Sequence, residues 1–268
     1  MSRFSQQWVR CAQSFVVVLA VWFLIAWGVQ KVRGVDFPTP WQTGIRLWAL
    51  VSGAPLADQT LWLHIQESLK RWLAGFGMAA VLGVGFGLLA GGIPWFAAIS
   101  AGIPQVLLII PGLAWIPVAL LLFGIGESAT VFMIAVASFA PIAMNVTHGI
   151  RGVDVQYVRA AQMMGAGTGK LFFQVLLPAA LPSLLSGLRI GLGTGWRVLI
   201  AAEMVVGTGT GLGYSISQAR WSLDYTAAFA CITVICVIGL VVERLVLHPL
   251  EQRPLPAGRR PWKSHDPL

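Results

Sequence analysis

Six apolar runs, at residues 12–29, 73–90, 99–123, 128–146, 184–206 and 226–247, are each long enough as a helix to cross a hydrocarbon core ~30 Å thick. Lipid offers no water to backbone N–H and C=O groups, so a segment that spans it must bond internally, as a helix does. The expected fold class is an all-α polytopic membrane protein with about six transmembrane helices. Only 10% of the 268 residues are charged, against roughly 25% in a soluble domain.

Arg3 and Arg10 before the first run suggest a signal peptide, but bulky Trp22, Phe23 and Trp27 and the lack of a small-x-small cleavage site favour a retained helix. Six crossings put both termini on one side, together with the polar loop at 151–182. That side carries eleven of the 18 Lys and Arg residues, from Arg3 through Arg151, Arg159 and Lys170 to Lys263, which predicts that it is cytoplasmic. The bias is moderate, because Lys31, Arg33 and Arg46 fall on the opposite side. The expected location is a membrane crossed six times, with both termini cytoplasmic. Three domains follow: 1–60, a first helix with an outer interfacial segment rich in Trp and Pro; 61–247, the membrane body with its loop; and 248–268, a cytoplasmic tail.

The net charge of +8 is scattered over helix ends and the tail, a pattern that membrane orientation and anionic lipid explain and that argues against nucleic acid. Cys11, Cys231 and Cys236 form no Cys-x-x-Cys pair and read as packing residues. Glu67, Lys70 and Arg71 stand at helical spacing and predict pairing on one face. Glycines 75, 77, 83, 85 and 87 predict close backbone packing of the second span. Pro104, Pro111 and Pro117 break the third, a feature of cavity-lining helices. His148, at the inner end of the fourth, reads as a hydrogen-bonded packing residue.

The loop between the fourth and fifth spans has its own grammar. Asp154 can cap a helix over 155–164 and Gly165 can end it in the left-handed conformation. Tyr157, Ala160, Ala161 and Met164 then share a face that either a partner or the chain itself can cover closely. Thr168 is placed to cap a second short helix, and Pro178 and Pro182 to redirect the chain into the fifth span, which would make the loop a semi-rigid lever. Residues 165–170 look like a phosphate-binding loop but have Met164 and Leu171 where that motif needs Gly and Ser or Thr, so ATP binding by this chain is not expected. Residues 207–213 fail the dinucleotide spacing and read as a flexible outer loop.

Arg197 lies eight residues beyond Arg189, ~12 Å along a helix. An ionisable group at that depth faces a cavity or a partner. If it faces a pathway, it favours an anionic or zwitterionic solute. Glu203 is too far around the helix to be its partner and is expected to gate or pair near the outer surface.

The segment Arg159-Ala160-Ala161-Gln162-Met163-Met164-Gly165, followed after nine residues by Val175-Leu176-Leu177-Pro178, resembles the Glu-Ala-Ala loop of the permease subunits of bacterial ABC importers. Arg159 stands where that family usually has Glu, and Val175 where it has Ile. Residues 113–117, 123–127, 186–193 and 201–204 look like the nitrate, sulfonate and taurine branch. The resemblance implies the type I, MetI-like permease fold and a homodimer. It also implies two separate ATPase subunits that hold ATP and Mg²⁺, and an extracytoplasmic substrate-binding protein. This chain would bind no cofactor and perform no covalent chemistry. Tyr157, Arg159, Ala160, Ala161, Met164, Gly165 and Pro178 would form the ATPase dock. Pro111, Trp115, Pro117, Trp196, Arg197 and Glu203 are the candidate substrate pathway. Taurine or another aliphatic sulfonate is the expected cargo, with nitrate as the alternative. An ion-coupled secondary transporter is the alternative of a different class; it would need membrane carboxylates or inverted repeats, and no such repeat is visible.

Overall fold

A computed structural model describes residues 3–34, 36–207, 209–242 and 244; the tail at 248–268, the end of the sixth run and the side chain of Cys11 lie outside the described residues. The elements are α1 (Arg3–Arg33), α2 (Pro40–Val51), a short antiparallel pair β1 (Pro55–Leu56) and β2 (Gln59–Thr60), α3 (Leu61–Gly92), α4 (Pro94–Ser100), α5 (Gly102–Ile109), a 3₁₀ turn (Gly112–Trp115), α6 (Ile116–Phe123), α7 (Glu127–Arg151), α8 (Val155–Met163), α9 (Thr168–Leu171), a π turn (Phe172–Leu176), α10 (Leu177–Val206), α11 (Leu212–Trp221) and α12 (Tyr225–Val242). Among the described residues, five helical stretches are long and apolar enough to span a membrane, or six if one bent pair counts as a span.

That bent pair is the expected third span. It is not one helix: α4–α5 and the stretch Gly112–Phe123 meet at 105°. The prolines explain the break. Pro94 and Pro117 sit at the first or second position of α4 and α6, Pro104 sits in the first turn of α5, and Pro111 lies between helices. First-turn N–H groups have no partner inside a helix, so a proline there sacrifices no hydrogen bond. The chain has restarted its helix at each proline, which leaves no missing donor to satisfy.

The chain divides into two compact units. The first comprises Met1–Ala74, Leu113–Met133 and Val198–Cys236. Its apolar core is Ala119, Ala129, Met133, Ala202 and Val206, against which Trp115, Ile116 and Leu120 pack. In the same unit Trp22 of α1 stacks on Phe229 of α12 at 5.5 Å, and Arg46 of α2 pairs with Asp224 at 3.2 Å. The expected interfacial segment contains α2, opened by a reciprocal cap between Thr39 and Gln42 with Pro40 at its first position. Trp41, Ile45 and Trp48 line its exposed face.

The second unit comprises Gly75–Gly112, Ile134–Arg197 and Val237–Leu268. It is held by small residues set against branched ones. A Cβ on Gly83, Gly87 or Gly91 of α3 would come within 2.9, 2.5 and 2.6 Å of side-chain atoms of Ile142, Val146 and Ile150 of α7, respectively. The two series climb in the same order, so α3 and α7 run parallel. Gly149 meets Ser183, Gly187 meets Asn145 and Gly191 meets Ile142, so α10 runs antiparallel to α7. With no hydrophobic effect between helices in lipid, such close van der Waals approach is the available source of cohesion.

Candidate functional site: an exposed loop and a buried ion cluster

The loop is stiffened at both ends of α8. The Asp154 carboxylate accepts from the Gln156 N–H at 2.8 Å, as an N-cap does. At the other end Gly165 has φ +80°; its N–H donates to the Gln162 carbonyl at 2.9 Å, and the Ala166 N–H donates to that of Ala161 at 3.0 Å. These two bonds form a Schellman closure, which needs a residue tolerant of left-handed backbone at 165. The four-residue face splits: Ala161 is buried, whereas Tyr157, Ala160 and Met164 are exposed, along with Arg159 and Met163. Met163 and Met164 are 83% and 82% exposed. Among the described residues Arg159 makes no ion pair.

Two expectations about the loop need correction. Thr168 is the first residue of α9 and does not cap it; the cap position is Gly167, with no side-chain bond. Pro178 is exposed at the second position of α10, and Pro182 lies within that helix without ending it. The entry into α10 is made by the π turn, whose Phe172 ring covers Gly92 at the end of α3: a Cβ there would sit 2.8 Å from Phe172 Cε2.

In the first unit, Glu203 of α10 is buried, 1% exposed. Its Oε1 accepts from Arg71 Nη1 at 2.9 Å, Ser68 Oγ lies 2.9 and 2.8 Å from its two oxygens, and the Gly213 N–H donates to Oε2 at 2.9 Å. Arg71, 4% exposed, also donates to the Thr210 carbonyl and hydroxyl, each at 2.9 Å, and to Glu127 Oε1 at 3.1 Å. Leu212 N–H donates to Ser68 Oγ at 2.8 Å. Gly211 N–H donates to His64 Nδ1 at 2.9 Å, which leaves His64 Nε2–H to donate to the Leu56 carbonyl at 2.8 Å. Gly211 has φ +123°, and a Cβ there would lie 2.5 Å from Glu203 Cδ, so glycine makes room for the carboxylate.

This cluster overturns two readings. Glu67 and Lys70 pair at 2.7 Å as their spacing predicts, but Arg71 turns inward to Glu203. The segment 209–213, read as part of a flexible loop, is bonded to α3 and α10 through Thr210, Gly211, Leu212 and Gly213. The missed residues His64, Ser68 and Arg71 stand at i, i+4 and i+7, a polar stripe on one face of α3, and that stripe was the signal available in the sequence.

The other pathway candidates are dispersed. Arg197 is exposed and reaches Thr194 Oγ1 at 3.4 Å; it takes no part in the Glu203 cluster. Trp196 is buried with its indole against Gly239 of α12. Pro111 and Pro117 are exposed, and Trp115 is half-buried on the first unit's core. Among the described residues, no group of three His, Cys, Asp or Glu side chains could hold a metal.

Residues 83–249 match the family described as binding-protein-dependent transport system inner membrane component. The chain belongs to that family. This permease is 35% identical over 252 residues to the taurine transport system permease protein TauC of Escherichia coli, covering 94% of this chain and 90% of the relative. It is 31% identical to the nitrate import permease protein NrtB of Synechocystis (96% and 93% covered). It is 32% identical to the putative aliphatic sulfonates transport permease protein SsuC of Bacillus subtilis (89% and 84% covered). Its fold is that of the MetNI methionine ABC transporter in inward-facing conformations, with a TM-score of 0.59 at 23% identity over 76% of this chain and 95% of that one. The permease is therefore a multi-pass ABC importer subunit of the nitrate, sulfonate and taurine family.

Proposed function

We propose that two copies of this permease form the membrane pathway of an ATP-driven importer for a small anionic or zwitterionic solute, taurine or another aliphatic sulfonate. The observation that carries the reading is near full-length similarity to permeases named for taurine, aliphatic sulfonates and nitrate, cargoes that share an oxyanion group. Arg197, on a membrane-length helix, supplies a positive charge suited to it. Two ATPase subunits, which bind ATP and Mg²⁺, dock from the cytoplasm on Tyr157, Arg159, Ala160, Met163 and Met164. A capped α8 and a π turn packed on the end of α3 give a stiff path from that dock to the membrane helices. ATP-driven closure of the ATPases pulls the loop and opens the pathway to an extracytoplasmic binding protein, and hydrolysis resets it. Both termini lie in the cytoplasm of a bacterial cell, by the distribution of Lys and Arg.

Nitrate is the second reading, favoured by the 31% identity to a nitrate permease over 96% of this chain. Uptake of labelled taurine in cells carrying the full transporter, challenged with excess nitrate or with an alkane sulfonate, separates the two. Competition by the sulfonate alone supports the first reading, and competition by nitrate alone supports the second. An Arg197→Ala permease that transports at the normal rate with unchanged anion preference would remove Arg197 from the pathway.

A further inference from the structure

The last two turns of α7 place Met144, Thr147, His148 and Arg151 at i, i+3, i+4 and i+7, a single helical face. Within the second unit that face borders a cavity of about 90 Å³ lined on its other sides by α3, α4 and α5, where small Ala90, Ala97 and Ala101 leave the space; Gln105 lines it too, and Gln105, His148 and Arg151 are all exposed. Thr147 is already committed, donating to the Ala143 carbonyl at 2.8 Å. Among the described residues Gln105, His148 and Arg151 make no side-chain hydrogen bond or ion pair. No carboxylate lines the cavity, and the acid that follows in the chain, Asp154, is taken up by the cap of α8.

We infer that this cavity is an oxyanion site, with the Arg151 guanidinium, the His148 ring and the Gln105 amide as donors to a phosphate- or sulfonate-type group. A guanidinium offers a planar fork of donors matched to such oxygens, and the exposure of all three donors leaves the site open to an ion from solvent. Basic residues at a helix C-terminus are favoured by the helix dipole alone. That effect accounts for His148 and Arg151 at the end of α7, but not for a third donor arriving from α5 or for a cavity between them. The donor chemistry is the same whether the group is a free oxyanion or the headgroup of a membrane lipid. The inference rests on this cavity and not on the proposed cargo.

The test is modification of His148 by diethyl pyrocarbonate, followed by peptide mass spectrometry, on the full chain in phosphatidylcholine nanodiscs. Sodium sulfate is titrated against sodium chloride at matched ionic strength, and the series is repeated in nanodiscs containing phosphatidylglycerol. A free-oxyanion site gives saturable protection by sulfate. Arg151→Gln then raises the half-protecting concentration about tenfold or more, the value of one charge-assisted hydrogen bond, while Arg151→Lys retains part of it. Protection by phosphatidylglycerol without added sulfate, lost in Arg151→Gln, identifies a lipid headgroup as the occupant. Modification equally fast under all conditions, or protection unchanged in both Arg151→Gln and Gln105→Ala, overturns the inference.

Discussion

Replacing Glu203 by glutamine preserves shape and reverses the polarity of one atom in a site where every neighbour is a donor. Oε1 accepts from Arg71, Oε2 accepts from the Gly213 N–H, and the single Ser68 hydroxyl hydrogen is shared between the two oxygens. An amide group at Oε2 meets the Gly213 N–H and orphans a buried donor, at a cost of about 1–3 kcal/mol. Turned the other way, it points at the Arg71 guanidinium. Either way Arg71, itself 4% exposed, keeps Glu127 as a carboxylate partner, whose side chain is 62% exposed. Loss of the charge from a buried pair brings the total to about 3–5 kcal/mol. The measurement is unfolding of the purified chain by SDS in mixed micelles, with the folded fraction read by pulse proteolysis. A double-mutant cycle with Arg71→Met is expected to give a coupling energy of about 1–3 kcal/mol. Glu67→Gln, which removes the pair with the exposed Lys70, is the control, at about 0–1 kcal/mol. A Glu203→Gln change within ~0.5 kcal/mol of wild type, additive with Arg71→Met, would refute the reasoning that this cluster fastens residues 209–213 to α3.

Gly87→Ala drives a methyl to within 2.5 Å of Val146 Cβ and is expected to destabilise the chain by about 1–3 kcal/mol in the same SDS assay, whereas Gly85→Ala, with open space at that position, is expected to be neutral or mildly stabilising. Gly165→Ala forces left-handed backbone on a residue with a Cβ, a cost of about 1–2 kcal/mol, so co-purification with ATPase subunits should fall while Gly167→Ala, whose φ is −70°, leaves it unchanged. Asp154→Ala removes the cap of α8 at a cost of about 1 kcal/mol, to be read as faster amide hydrogen exchange over 155–163 with α10 unaffected.

What a single sequence reveals here depends on how far apart the cooperating residues lie. Apolar run length is a local property, and so are the signals around α8: Asp154 one residue before it and Gly165 two residues after it. Those features were legible. The capping pair Thr39 and Gln42 with Pro40 between them is equally local and marks the start of α2 within a segment otherwise rich in Trp and Pro. Glu203 could be suspected as a paired group, but its partners Ser68 and Arg71 lie 135 and 132 residues away, and nothing within a helical window connects them. The same distance hid the fastening of 209–213: glycine-rich composition reads as freedom, while the bonds that remove that freedom come from α3. In the third span the prolines are visible in the sequence but their effect is not, because a proline costs a hydrogen bond only when the helix continues through it. Here each helix begins at or near its proline.

The register between α3 and α7 also fixes a parity. Gly83, Gly87 and Gly91 ascend one helix as Ile142, Val146 and Ile150 ascend the other, and α7 begins at Glu127, ~28 Å along its axis before Val146 at 1.5 Å per residue. A polypeptide that leaves the far end of one such helix and starts its parallel neighbour at the near end has travelled back in between. Residues 93–126 make that return, 105° break included. The number of traverses separating two parallel neighbours is odd, so residues 93–126 must themselves make a crossing, and they make it along a path that prolines have broken into short helices.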